Sequence, residues 1–367
     1  MTSSLHLPRR TALGWLAGAG ALTAAPALRA QETQRVRYIL SIPTITPIVA
    51  NQTSIPSQLG YYEEERVRLE PVLAGAAGIA GAVQLVATGD QDIGSGSFTP
   101  LLTRAAEGQD LGLSFFYLQV RNYAMSFAVP ADSTVRTIAD LKGKLIGVAT
   151  LASEGPPVSR FLGREAGLDP QADLRFIAVG SGAQAAQALR SRQVDVYVAP
   201  RSQVSQIETL GIPLRMLALP TRMRELFGVG LFARRDYLQR NRATVVGVGR
   251  AVAKGTLFAM TNPEAAVRLH WKAFPEQVPQ GLPPEQALAN AVKTLGTQFE
   301  GLRFQEHETG MTQFGRYRPE SVNAVLDVFG WAGRVGSPDR FFTNDLIDEI
   351  NAFDRDKVVQ QARAWRA

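Results

Sequence analysis

The stretch IAGAVQLVATGDQDIGSGSFTPLLTRAAE, Ile79–Glu107, decides how the chain is to be read. Ile79, Val83 and Val86 recur at helical spacing up to Thr88, DIGSG is a short strand and turn, and a second helix runs from Thr99 to Glu107. Helix, strand and helix joined by a few residues form the unit of a mainly parallel sheet covered on both faces. Upstream, VRYILSI from Val36 predicts a strand, Asn51–Glu64 a helix, and VRLEPVLA a strand; downstream comes LGLSFFYLQV. The pattern then restarts: YAMSFAVP, a helical turn at Thr137–Lys142, LIGVAT, a helix at Pro157–Ala166, LRFIAV, a helix at Ala183–Arg192, and VDVYVA. After LRMLAL and GVGLFAR the remainder reads as helices, among them TVVGVGRAVAKGTLFAM and PPEQALANAVKTLGTQF. Nothing repeats at solenoid period. The class is α/β, in two similar halves followed by helices.

The first 30 residues have another character. Arg9 and Arg10 precede an apolar stretch, Ala12–Leu28, too short to span a bilayer and ending in small residues, which predicts a cleaved export signal over 1–30. The adjacent arginines partly match a twin-arginine signal, so the twin-arginine and general secretory routes both stay open. No later stretch is apolar enough to cross a membrane. The chain has no cysteine, which excludes disulfides, thiolate metal sites, a cysteine nucleophile and a lipid-modified cysteine anchor. With a Gram-negative source, a diffusible periplasmic protein is expected. The formal charge is +6, and three arginines of the leader, Arg9, Arg10 and Arg29, supply half of it. The remaining basic groups are interleaved with acids, as in Glu63-Glu64-Glu65-Arg66, which is no nucleic-acid footprint.

Four segments carry a family resemblance in chain order: LGYYEEERVRLEPV (Leu59–Val72), LVATGDQDIGSGS (Leu85–Ser97), IADLKGKLIGVAT (Ile138–Thr150) and ALRSRQVDVYVAP (Ala188–Pro200). Together they resemble the periplasmic substrate-binding proteins of ABC importers, in the NMT1/THI5-like, sulfonate- and taurine-type group. Gly60-Tyr61-Tyr62, Gly89, Asp92, Gly94, Asp140-Leu141-Lys142-Gly143, Ala188, Leu189 and Asp195 match the pattern. The family's glycine is missing at Glu65-Arg66-Val67 and before the strand at Gln193. The resemblance implies a type II periplasmic-binding-protein fold: two lobes, each a mainly parallel sheet with flanking helices, joined by two crossing strands as a hinge. It places lobe one at 31–122 plus 230–367 and lobe two at 123–229, with crossings near Gln119–Tyr123 and Gly228–Gly230. Either glycine serves a hinge or marks a bulge or turn. The resemblance further implies a monomer that takes a small-molecule ligand, works with ABC permease membrane subunits and uses no cofactor.

In open α/β sheets, ligands bind beyond the carboxyl ends of the strands. That rule gives the candidate ligand-binding residues Pro43, Thr44 and Thr46 after the first strand, Gly75 after the second, and Ser95 and Ser97 after the third. In the second half it gives Thr150, Ser153 and Glu154, then Ser181, then Tyr197 and Arg201, with Tyr123 at the crossing. Any one of these loops taken alone also reads as a helix cap or turn, the commoner use of such residues. Glu154 in a cleft would select an amine or a heterocyclic N–H donor, whereas Arg201 would clamp a sulfonate or carboxylate; both also read as solvated charges.

Other chemistries fit less well. GSGSFT and GSGAQA lack the Lys-Ser/Thr of a P-loop and the full G-x-G-x-x-G. His270 and His307, the two histidines beyond the leader, sit in no zinc-binding spacing, so neither a metal site nor a catalytic residue is expected. The leading expectation is a receptor that closes on a small sulfonate, carboxylate or heteroaromatic compound, not an enzyme. The alternatives are an exported enzyme on the same fold, with Glu154 as acid or base, and a ligand-sensing module of a signalling system.

Overall fold

The computed structural model of the chain describes residues 32–42, 44–121, 125–151, 153–220, 223, 226–300, 302 and 313–366. The export-signal expectation therefore lies outside the described residues. Two five-stranded mixed sheets with flanking helices make up the body. The first contains β1 (Gln34–Leu40), β2 (Val67–Leu73), β3 (Ile93–Ser97) and β4 (Leu113–Leu118), together with a late strand, β10 (Val229–Arg234). The second contains β5 (Met125–Pro130), β6 (Leu145–Val148), β7 (Arg175–Ala178), β8 (Val196–Pro200) and β9 (Leu214–Met216).

The two sheets have one plan. Their strand orders are β2-β1-β3-β10-β4 and β7-β6-β8-β5-β9. In each, the first three strands pair in parallel and the fourth, β10 or β5, runs antiparallel to both its neighbours. The parallel strands are covered on both faces, which is why β4, LSFFYL, is buried at every position instead of alternating. Pro71, which has no N–H for a ladder, is tolerated because β2 is an edge strand bonded only to β1.

The chain passes between the sheets twice, after β4 and before β10, and these passages are bonded to each other. Val229 O accepts from Gln119 N (2.9 Å) and Val120 N (3.0 Å), while Gly228 N donates to Val120 O (2.9 Å). Phe227 anchors the second passage, its ring centroid 4.6 Å from that of Phe98, 5.1 Å from Phe342 and 5.2 Å from Tyr317. Arg121 anchors the first by donating to Gln313 O, and burial lowers its pKa to about 10. Gly230 is not part of a loose joint: it lies inside β10, and a Cβ there would come within 2.3 Å of the Tyr317 hydroxyl. Close packing, not backbone freedom, requires glycine at that position. Gly94 is similar, since a Cβ would sit 2.3 Å from the ring of Phe232 on the facing strand.

The helical return covers the first sheet with Arg242–Thr261, whose buried face includes Val245, Val248, Val252 and Phe258. A later helix, Pro284–Gly296, instead meets Arg201–Thr209 beside the second sheet: Lys293 Nζ lies 3.0 Å from Glu208 Oε2, and Ser205 Oγ 3.5 Å from Thr294 Oγ1. Among the described residues, no helix is long and apolar enough to cross a membrane.

Two local expectations need correction. The helix expected over Asn51–Glu64 is three short pieces, Pro47–Gln52, Ser54–Gln58 and Tyr61–Glu64, because Thr53 leaves helical geometry and Gly60 takes φ +75°. The glycine-deficient turns keep the shape that glycine would give: Arg66 (φ +53°) and Arg192 (φ +56°) are left-handed, and they are the only such non-glycine residues described. In the second turn it is Arg192, not Gln193, that occupies the strained position. A left-handed L-residue costs roughly 1–2 kcal/mol, partly offset in a glycine variant by the greater freedom of its unfolded chain. Arg66→Gly is therefore expected to stabilise the protein by about 0.5–1 kcal/mol, seen as a raised urea midpoint at unchanged m-value.

Candidate functional site

A cavity of about 210 Å³ opens where the carboxyl ends of the two sheets face each other across the bonded passages. From the first sheet come Leu40 and Ser41 at the end of β1, Ser95 and Ser97 of β3, and Ile48, Val49, Asn51 and Gln52 from the turn after β1. The passages contribute Gln119, Val120, Gly228 and Val229, and β5 begins at the wall with Met125. Glu154, Pro200, Ser202 and Gln203 face them from the second sheet, and Thr297, Gln298 and Phe299 close one side.

The polar groups are held from behind. Ser95 Oγ donates to Gln119 Oε1 at 2.8 Å, and both side chains are buried. The Tyr38 hydroxyl donates to Gln52 Oε1, the Tyr62 hydroxyl to Gln52 O (2.8 Å), and Asn51 Nδ2 to Thr256 Oγ1 (3.0 Å). Burial raises the pKa of both tyrosines, so they remain neutral donors. Gln119 Nε2 is buried and has no hydrogen-bond partner among the described residues.

Glu154 precedes the helix Gly155–Glu165, and its Oε1 accepts from the hydroxyls of Ser97 and Thr99 on the opposite side of the cavity. These bonds tie the end of β3 to the second sheet. Glu154 is the only ionisable residue in the described wall, which contains no lysine, arginine or histidine.

Of the expected ligand residues, Ser95, Ser97 and Glu154 come together in this wall. Pro43 and Tyr123 lie outside the described residues. The others are placed elsewhere. Tyr197 packs in the second sheet's core, its hydroxyl 2.9 Å from Gly180 O and 3.1 Å from Gln203 Oε1, so it supports a wall residue instead of forming the wall. Arg201 binds Glu208 at 3.1 Å, a carboxylate shared with Lys293, and lies outside the cavity wall. Ser153 folds back onto Thr150 O at 2.6 Å, and Thr150 and Ser181 are exposed. Thr44 is exposed, Thr46 precedes the turn Pro47–Gln52, and Gly75 starts a short turn after β2. Gln119 and Met125 were within reach of the strand-end rule applied to the crossing. Thr297, Gln298 and Phe299 carry no local signal, because only tertiary packing brings the return segment to the cavity.

His270 could be mistaken for a catalytic base, since its Nδ1 lies 3.0 Å from Ser54 Oγ. The ring is fully buried and Ser54 is 2 % exposed, so no substrate reaches the pair. Among the described residues, no group of three or more His, Asp or Glu is placed to hold a metal ion. His307 lies outside them.

A family model described as NMT1/THI5 like matches residues 46–266, more than half the chain. The chain belongs to the NMT1/THI5-like family. Solved structures similar to this member include a protein from Bordetella bronchiseptica RB50, at 22% identity and TM-score 0.62, covering 86% of this chain and 96% of that one. The alkanesulfonate-binding protein SsuA from Xanthomonas axonopodis pv. citri, bound to MOPS, is 19% identical with a TM-score of 0.56, over 88% and 99% of the two chains. The periplasmic nitrate-binding protein NrtA from Synechocystis PCC 6803 is 12% identical with a TM-score of 0.55, over 92% and 99%. These likenesses establish the periplasmic-binding-protein fold for the NMT1/THI5-like chain. No curated protein sequence matches it.

Burial lowers the pKa of His270 to about 4, from 6.5 when unfolded. The unfolded state therefore binds the extra proton first, and the contribution of neutral His270 is complete above pH 6.5 and lost as pH falls toward 4. Relative to His270→Gln, the stability of the native chain is expected to fall by up to about 3 kcal/mol between pH 7 and pH 4, measured by urea unfolding across that range.

Proposed function

We propose that this NMT1/THI5-like protein is an extracytoplasmic receptor that binds a small organic molecule, a sulfonate, carboxylate or heteroaromatic compound, and delivers it to an ABC permease. The observation that carries this reading is the cavity at the facing carboxyl ends of two sheets, walled by both and backed by the pair of bonded passages. Lobe one is taken as 31–122 plus 230–367 and lobe two as 123–229. Rotation about the passages would open the cavity, and a ligand touching both lobes stabilises the closed form through its differential affinity for it. The permease would then read the closed form. Export to the periplasm fits the twin arginines and apolar leader of the sequence.

Among the described residues, the one carboxylate in the wall has no nucleophile–base pair beside it, and the Ser54–His270 contact is sealed in the core, which favours binding over catalysis. A thermal-shift panel of alkanesulfonates, taurine, nitrate, aromatic carboxylates and pyrimidines tests the reading. A binder at about 100 times its Kd adds about 2.7 kcal/mol, a shift of several degrees in Tm. The same binder should lower the radius of gyration in small-angle scattering and be recovered unchanged. Recovery of a converted compound would instead establish the enzyme.

A further inference from the structure

Two helices start at one carboxylate. Glu154 directly precedes the helix Gly155–Glu165 beside the second sheet, and its Oε1 accepts from the hydroxyls of Ser97, the last residue of β3, and Thr99, the first of the helix Thr99–Ala106. All three side chains are half-buried. Thr99 N donates to Ser97 Oγ at 3.2 Å and the two hydroxyl oxygens are 2.9 Å apart, so the pair from the first sheet is preformed.

Under the receptor reading, on which this inference rests, rotation about the passages separates these helix starts and closure brings them together. Each start carries the positive end of a dipole, about half a unit charge, and two such ends repel. A carboxylate between them reverses the sign of that contribution: in the open form Glu154 complements its own helix alone, in the closed form both. The hydroxyl bonds act in the same direction, and bonds to an ionised acceptor are stronger than those between neutral groups. The helices Arg201–Thr209 and Pro284–Gly296 add a second contact between the halves, Lys293 Nζ to Glu208 Oε2 at 3.0 Å, but Lys293 is 52 % exposed and the pair is screened by water. The contact at Glu154 is therefore the stronger of the two.

We infer that Glu154, Ser97 and Thr99 form a latch, which moves the open–closed balance toward closed independently of the ligand and adds the same increment to the affinity of every ligand. Thr99 is the residue that reports the latch alone, because it is not part of the described wall, whereas Glu154 is in the wall and makes a further interaction besides these two.

The chain has no cysteine, so spin labels on cysteines introduced at exposed Gln84 and Gln187, in the helices Gly78–Thr88 and Ala183–Arg190, read the separation of the halves by double electron–electron resonance. Without added ligand, the labelled protein should show a short-distance population that Thr99→Val and Glu154→Gln each reduce by about three-fold or more relative to the long-distance one. Thr99→Ser, which keeps the hydroxyl, should retain the original distribution, and unchanged urea midpoints separate a change in closure from loss of fold. By isothermal titration of each compound that binds in the thermal-shift panel, Thr99→Val should weaken all of them by one common factor. An unchanged distribution in either variant, a protein already fully open before the latch is altered, or affinity losses that differ from binder to binder overturns the latch while the receptor reading stands. A panel without a binder overturns the receptor reading, and the label distances still decide the latch.

Discussion

The carbonyl of Val229 accepts from two successive N–H groups, those of Gln119 and Val120, and this shared acceptor fixes how the halves are joined. Because the chain crosses at the carboxyl edge of the first sheet, the strand it enters must start at that edge and run backwards. The same holds on return. The single antiparallel strand in each sheet, β5 and β10, is thus a consequence of where the crossings lie, and so is the presence of Met125 and Val229 in the cavity wall. Strand-end loops, crossings and cavity coincide for one geometric reason.

Around this junction the polar groups are arranged with little slack. Asn51, Gln52 and Ser95 are each bonded to a buried neighbour, and the tyrosines that hold Gln52 stay neutral because burial opposes their ionisation. Arg201 and Lys293 share the carboxylate of Glu208 outside the described wall. In the described wall the ionisable group is Glu154, which accepts from two hydroxyls on the first sheet's side, those of Ser97 and Thr99.

The architecture was legible in the sequence because period and punctuation report burial directly: Ile79, Val83 and Val86 fix a helix, and Asp140-Leu141-Lys142-Gly143 a turn, wherever they occur. The strand-end rule reached Ser95, Ser97 and Glu154, whose position follows from chain order. Tyr197 and Arg201, which the rule also names, lie outside the described wall, since a rule that gives a residue's place along a strand does not give the direction of its side chain or the partner that takes it first. Tyr197 alternates into the core, and Arg201 finds Glu208 seven residues on, two turns along its own helix. Gln52 was hidden by the expected continuous helix, which Thr53 and Gly60 break. Thr297, Gln298 and Phe299 were beyond reach, since the rest of the described wall is far away from them in sequence. The missing glycines at Arg66 and Arg192 altered the residue and not the turn, because tertiary packing over-determines a single left-handed position.

The strand orders also set a timetable for synthesis. All five strands of the second sheet lie within one continuous stretch, from Met125 to Met216, whereas the first sheet keeps a gap between β3 and β4 that only β10 can fill. A ribosome delivers β3 and β4 more than a hundred residues before their mutual neighbour, so β4 has no strand partner of its own sheet until residue 229 emerges. The half that begins first is completed last, and its nascent β4, apolar at five of its six positions, is the segment most in need of shelter during translation.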